Sequence, residues 1–109
     1  MYQAIISYLL TTPIFQTWGE PRRVLGRFVS IRPRDWNLPL AACKSVCGSE
    51  EPGIAAAAAL ACTQISIILV DDILDNDPRG EFQMIGAGQA ANLASTFLSA
   101  GQLALLHSQ

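Results

Sequence analysis

Three carboxylates stand close together in the segment DDILD, where Asp71 and Asp72 are followed by Asp75; we refer to them as the aspartate cluster. On an α-helix each residue advances by about 100°, so Asp71 and Asp75 share a face and Asp72 and Asp75 are neighbours. Like charges at this spacing repel each other, and at the carboxyl end of a helix they also meet the negative end of the helix dipole. A divalent cation would offset both penalties. Because Mg²⁺ prefers carboxylate oxygens and bridges to phosphates, the cluster predicts a Mg²⁺-phosphate site.

Two different kinds of metal site would require different residues around the aspartate cluster. A calcium-binding EF-hand loop starting at Asp75 would have Gly86 at its twelfth position, where a Glu is required. A carboxylate-bridged di-iron site needs Glu-x-x-His, and the chain contains no such motif. A solvated acidic helix end, capped by Asn76 or Asp77, is the remaining alternative to a Mg²⁺ site.

The composition describes a weakly charged, apolar chain. Half of the 109 residues are hydrophobic and 15% are charged, against about a quarter in an average protein. We therefore expect part of the surface to be buried, either against a partner subunit or against the remainder of a longer chain. The net charge is −2 and no basic stretch occurs, which argues against nucleic acid as a partner.

Pro and Gly residues divide the chain into five predicted helices, at residues 1–10, 21–30, 40–47, 52–76 and 88–106. The fourth begins after Ser49-Glu50-Glu51-Pro52, a typical helix start, and ends before Pro78 and Gly80. No segment of five or more residues alternates convincingly between apolar and polar side chains. The predicted fold class is therefore all-α.

The most apolar segment, residues 54–70, has no charge over 17 residues, which is the short limit for a membrane span. It contains the polar residues Thr63, Gln64 and Ser66, and no cluster of Lys or Arg lies beside it to anchor it at an interface. We expect a buried core helix and no membrane span.

The number of cysteines and the type of N-terminus indicate which cellular compartment to expect. Cys43, Cys47 and Cys62 are an odd number, and the N-terminus lacks the basic region and cleavage site of a signal peptide. We therefore expect free thiols that serve as small core residues in a reducing compartment, the cytoplasm.

The order of segments resembles the polyprenyl synthetase family, the trans-isoprenyl diphosphate synthases. Basic residues with Arg32-Pro33 precede LPLAACKSVCG, an Ala-rich apolar helix, DDILD, the pair Arg79-Gly80 and a helix of small residues. In that family a G-K-R-x-R-P segment precedes a helix resembling LLAAEALGG, and a long helix then ends in DDxxD before R-R-G. The resemblance implies an all-α helical bundle of the isoprenoid synthase type around a deep cavity. Residues 1–109 would be the N-terminal part of that single domain.

The resemblance also implies roles for individual residues. The aspartate cluster would hold the Mg²⁺ ions that clamp the allylic diphosphate. Arg79 resembles the second Arg of R-R-G, which contacts diphosphate, and Arg32 resembles the Arg of the upstream R-P pair, which helps bind isopentenyl diphosphate. Gln64 stands where many members have a His, and we assign it to substrate binding.

The implied function is Mg²⁺-dependent prenyl transfer, in which an allylic diphosphate condenses with isopentenyl diphosphate to a longer polyprenyl diphosphate. The family works with a second aspartate-rich motif, which this sequence lacks, so we expect the 109-residue chain alone to be inactive and to self-associate, as a homodimer. One alternative is a terpene cyclase, which shares DDxxD but has aromatic residues that stabilise cations; residues 65–70, ISIILV, include none. The other is a non-catalytic helical partner subunit.

Product length is predicted from the helix that ends in DDxxD. In the family, the growing chain runs along that helix away from the metals. The corresponding wall here would be Ser66 and Ile67, with Cys62 and Ala58 a further turn away. None is aromatic and three are small, so we expect a product of geranylgeranyl length or longer.

Overall fold

The computed structural model describes residues 2–107, so Met1 of the first predicted helix lies outside the described residues, as do residues 108–109. Seven α-helices and two short 3-10 helices, with no strand, account for the regular structure of these residues, which confirms the all-α class. The α-helices are α1 (Tyr2–Leu10), α2 (Pro13–Thr17), α3 (Gly19–Ser30), α4 (Leu38–Cys47), α5 (Ile54–Leu74), α6 (Phe82–Ile85) and α7 (Ala87–His107). The 3-10 helices are Arg34–Asn37 and Glu51–Gly53.

Helices α5 and α7 form the centre of the fold and run in opposite directions, since the start of α5 and the end of α7 line one cavity. Their contact is close because small side chains face each other. A Cβ on Gly101 of α7 would lie 3.0 Å from the carbonyl oxygen of Ala59 and 3.2 Å from Cβ of Cys62. A side chain on residue 101 would therefore require α5 and α7 to move apart by a few tenths of an ångström.

Aromatic side chains attach the N-terminal half to this pair. Phe15 of α2 packs edge-to-face on Phe97 of α7, with ring centroids 5.7 Å apart. The Tyr8 hydroxyl donates a hydrogen bond to the carbonyl of Ala104, which joins α1 to α7. Trp36 is fully buried in the core.

The apolar segment around α5 is long enough to cross a membrane. Within residues 2–107, Glu51–Leu74 is the one helical stretch that passes by length and composition. In its most apolar window 56% of the residues are buried inside the protein, and a core helix passes the same test.

The free cysteines differ in their environments. Cys62 is buried between α5 and α7, as predicted, whereas Cys43 is half-buried and Cys47 is exposed. The core prediction is therefore wrong for Cys47. The physical reason is that α4 buries Leu40 alone and leaves its last turn in solvent.

Candidate functional site

The aspartate cluster occupies the last turn of α5, where the backbone closes in a Schellman motif. Asp75 is the C-cap, and Asn76 follows in the left-handed conformation with φ of 51°. The Asp77 N–H donates to the carbonyl of Asp72 at 2.9 Å, and the Asn76 N–H donates to the carbonyl of Ile73 at 3.2 Å. Asn tolerates this conformation better than most residues, so the predicted cap at Asn76 is present.

A tight turn returns the chain over the cluster immediately after this cap. The Gly80 N–H donates to the carbonyl of Asp77 at 3.0 Å, and the Arg79 N–H donates to the Asp77 side chain at 2.8 Å. Pro78 suits the second position of such a turn. Gly80 is buried, and a Cβ there would lie 2.8 Å from Cβ of Asp72. The turn therefore covers one of the three aspartates.

The three carboxylates consequently differ in environment. Asp71 and Asp75 are exposed, whereas Asp72 is half-buried beneath the turn. Burial raises the pKa of Asp72, and the charge of Asp77 adds to the rise, while Arg27 and Arg79 oppose it. Across the described part of the chain, no three Asp, Glu, His or Cys side chains converge to enclose a metal ion.

Asp72 faces a cavity of about 310 Å³, which we call the α3–α5 cavity. Its lining combines an apolar wall with charged groups of both signs. The lining residues are Arg27, Phe28 and Ile31 of α3 and its C-terminal end, Ile68 and Asp72 of α5, and Asp77 and Arg79 of the turn. Such a site can take a ligand with an anionic head and an apolar body.

A buried carboxylate connects α3 to the turn. Glu81 is 1% exposed, and its oxygens accept hydrogen bonds from Arg23 at 3.0 Å and from Arg27 at 2.6 Å. Burial by itself would raise the pKa of Glu81, but the two guanidinium groups together outweigh it and hold that pKa below its ordinary value. Arg27 also donates to the carbonyl of Arg79 at 2.8 Å, which fastens the turn to α3.

The predicted substrate-binding residues lie in three separate places. Arg79 lines the α3–α5 cavity, and its side chain is 88% exposed. Its Nε lies 3.5 Å from Oδ1 of Asp77. Arg32 is exposed and follows α3 in the left-handed conformation, with φ of 50°. Its backbone N–H donates a hydrogen bond to the carbonyl of Val29. The Gln64 side chain accepts a hydrogen bond from the indole N–H of Trp36. The structure thus brings only Arg79 of these three beside the aspartate cluster.

The predicted wall residues do not share one surface. Cys62 and Ser66 are four residues apart and are buried on the same side of α5. Gly101 of α7 packs directly against Cys62. Burial raises the pKa of the Cys62 thiol to about 12. Ile67 is 54% exposed and points away from that side. Ser66 and Cys62 therefore lie on the buried side of α5 and Ile67 on its exposed side, and the role of these three residues as a chain-length wall stays a prediction.

Sequence reasoning missed the charge cluster of Arg23, Arg27 and Glu81. Glu81 lies 54 and 58 residues from its two partners, so no local pattern pairs them. One signal was available: Arg23 and Arg27 are four apart on α3, and like charges at that spacing repel each other, which favours an anion nearby.

Comparisons with known proteins found no similar relative: no family model, curated protein or solved structure matches the chain. The likeness to the polyprenyl synthetase family therefore depends on the order and letters of the motifs given above. The activity that it implies is a proposal, and so is the bundle type.

Proposed function

We propose that this chain carries the first Mg²⁺-diphosphate site of an isoprenoid-synthase-type bundle. The proposed reaction is the condensation of an allylic diphosphate with isopentenyl diphosphate. The observation that carries the proposal is the position of the aspartate cluster, which ends the most apolar helix and whose member Asp72 lines the α3–α5 cavity together with Arg27 and Arg79. The three features that the reaction needs, namely acidic ligands, basic groups and apolar side chains, meet there.

The donor set fits hydrated Mg²⁺. Asp71 and Asp75 are exposed carboxylates on one face of α5, so both can reach an ion at the helix end. Mg²⁺ uses one or two carboxylates and fills its other positions with water and phosphate oxygens, so a closed protein cage is not needed. When bound, it would stabilise the charge on the departing diphosphate.

Arg27 and Arg79 supply positive charge on the other side of Asp72. A guanidinium group matches the geometry of phosphate oxygens and can donate two parallel hydrogen bonds to them. Arg79 can turn toward a ligand because most of its side chain is in solvent. These two residues would therefore hold the diphosphate between α3 and the turn.

The apolar wall suits the hydrocarbon part of such a substrate. Phe28 and Ile31 face Ile68 of α5 across the α3–α5 cavity. Burying prenyl carbons against them contributes about 25 cal/mol for each Å² removed from water. The same side chains would keep water away from an allylic cation.

A non-catalytic helical subunit is the second candidate function, and the exposed apolar surface favours it. Large hydrophobic side chains such as Val46, Leu74 and Met84 are exposed, more than a small monomeric bundle needs. In addition, Arg23 already donates hydrogen bonds to both Glu20 and Glu81, which leaves fewer basic groups for a diphosphate.

Binding of an allylic diphosphate analogue in Mg²⁺ separates the two candidates. Asp71→Asn removes an exposed carboxylate of the aspartate cluster, and Asp35→Asn removes an exposed one outside it. We expect Asp71→Asn to weaken analogue binding at least about tenfold, and Asp35→Asn to have no effect. Equal binding by both variants would remove the proposed site and leave the subunit role.

A further inference from the structure

Glu81 is a buried charge for which the proposed function gives no role. An ionised carboxylate is costly to bury unless its oxygens are paired, and both Glu81 oxygens are paired with arginines one helical turn apart on α3. A well-packed apolar residue would satisfy the fold at this position without that cost. The pairing therefore calls for a reason beyond stability.

The reason lies in the orientation of Arg27. One terminal nitrogen of its guanidinium donates to Glu81 at 2.6 Å, and the other donates to the carbonyl of Arg79 at 2.8 Å. Two bonds at different nitrogens fix the plane of the group. A guanidinium has five N–H donors, and Arg27 lines the α3–α5 cavity beside Asp72, so three donors are left for a ligand there.

The same contacts fix the turn that carries Arg79. Arg27 donates a hydrogen bond to the backbone carbonyl of Arg79. Glu81 follows the turn and is the N-cap of α6. Moving Glu81 would therefore displace Arg27 and Arg79 together. Arg23 also contributes, since it binds Glu81 and the half-buried Glu20 at once.

We infer that Glu81 is a positioning residue, which orients Arg27 and the Arg79 turn toward a diphosphate group bound beside the aspartate cluster. This inference rests on the proposed function. Its physical basis is preorganisation: a donor that is already held in place loses less conformational freedom when the ligand binds. Outer partners of this kind affect affinity without touching the ligand.

The test measures binding of inorganic diphosphate in the presence of Mg²⁺ by calorimetry. Glu81→Gln keeps the shape of the side chain and removes its charge. Glu20→Gln is the matched control, because Glu20 pairs with Arg23 but does not contact Arg27. We expect Glu81→Gln to weaken diphosphate binding roughly tenfold and Glu20→Gln to change it less than about twofold. Equal affinities in these two variants would overturn the inference.

A double-mutant cycle separates positioning from general loss of structure. If Glu81 acts mainly through Arg27, Glu81→Gln will weaken binding much less in an Arg27→Met background than in the wild type. The same loss in both backgrounds would contradict the inference. If circular dichroism shows that Glu81→Gln does not fold, the Glu81→Asp variant is used for the binding measurement instead. Its side chain keeps the charge but is too short to reach both arginines. A folded Glu81→Asp variant with wild-type affinity would also overturn it.

The dependence of diphosphate binding on Asp71 distinguishes failure of the proposed function from failure of the inference about Glu81. Diphosphate binding that does not depend on Asp71 would remove the proposed site, and the inference with it. Binding that depends on Asp71 and is unchanged in the Glu81 variants would remove the inference alone.

Discussion

Gly80 lies directly against Asp72, and a Cβ on Gly80 would be 2.8 Å from the Asp72 Cβ and 2.8 Å from the ring of Phe82. A Cβ atom in a folded protein essentially never lies so close to an atom of another residue, so a side chain on residue 80 would force its neighbours to shift. The turn at residues 77–80 can therefore cover Asp72 only because residue 80 is glycine. This contact connects the end of α5 to the start of α6.

Gly80→Ala should therefore destabilise the protein by about 1–3 kcal/mol, because the added methyl group must push the turn away from α5. Gly26→Ala is the control: Gly26 lies within α3, and a Cβ added there would meet nothing within 4 Å. Alanine there should stabilise by about 0.5–1 kcal/mol. Urea denaturation of both variants measures this, and a Gly80→Ala protein as stable as Gly26→Ala would show that the turn does not pack as described.

Replacing Gln64 distinguishes a structural role from substrate binding. Gln64→Leu leaves the indole N–H of the buried Trp36 without an acceptor, which should cost about 1–3 kcal/mol of unfolding free energy. Gln64→Glu keeps an acceptor oxygen and should cost less. Thermal unfolding of the two variants tests this expectation. A Gln64→Leu protein with unchanged stability and weaker diphosphate binding would instead support the sequence-based role in the substrate site.

The buried charge cluster should make stability depend on pH in the acid range. The pKa of Glu81 in the folded protein lies below its ordinary value of 4.5, despite burial, because Arg23 and Arg27 favour the ionised form. Its contribution is therefore complete above the ordinary pKa and is lost as pH falls through the lowered one. Between about pH 7 and about pH 3, the difference in melting temperature between wild type and Glu81→Gln should shrink. A difference that stays constant over this range would show that charge is not the stabilising feature.

Self-association should follow from the apolar outer side of α5. Ile67, Val70 and Leu74 are exposed and three or four residues apart, so they form one stripe. We expect light scattering to detect a concentration-dependent dimer, and Leu74→Glu to weaken it. Val46→Glu on α4 serves as the control, since Val46 is exposed but lies outside the stripe. A monodisperse wild-type monomer would contradict this prediction.

Local sequence signals predicted part of this fold well. The end of α5 and the spacing of the aspartate cluster follow from an apolar run, an Asn that can cap, and the helix-breaking Pro78. These features act within a few residues, so the sequence contains the information needed to predict them.

Other features could not be predicted because they depend on residues distant in sequence. Glu81 has its hydrogen-bond partners on α3, and the partner of Gln64 is Trp36, which is 28 residues away. The burial of Cys62 and the exposure of Ile67 on the same helix depend in the same way on where α7 packs against α5, close to Gly101.

The metal dependence of diphosphate binding decides whether the aspartate cluster is a Mg²⁺-diphosphate site. Binding of geranyl diphosphate should be measured by calorimetry with Mg²⁺ and again with EDTA in excess. Because the aspartate cluster can hold a diphosphate only through a cation, we predict binding in Mg²⁺ and at least about tenfold weaker binding in EDTA. Equal affinity under the two conditions would contradict the assignment of the aspartate cluster to a Mg²⁺-diphosphate site.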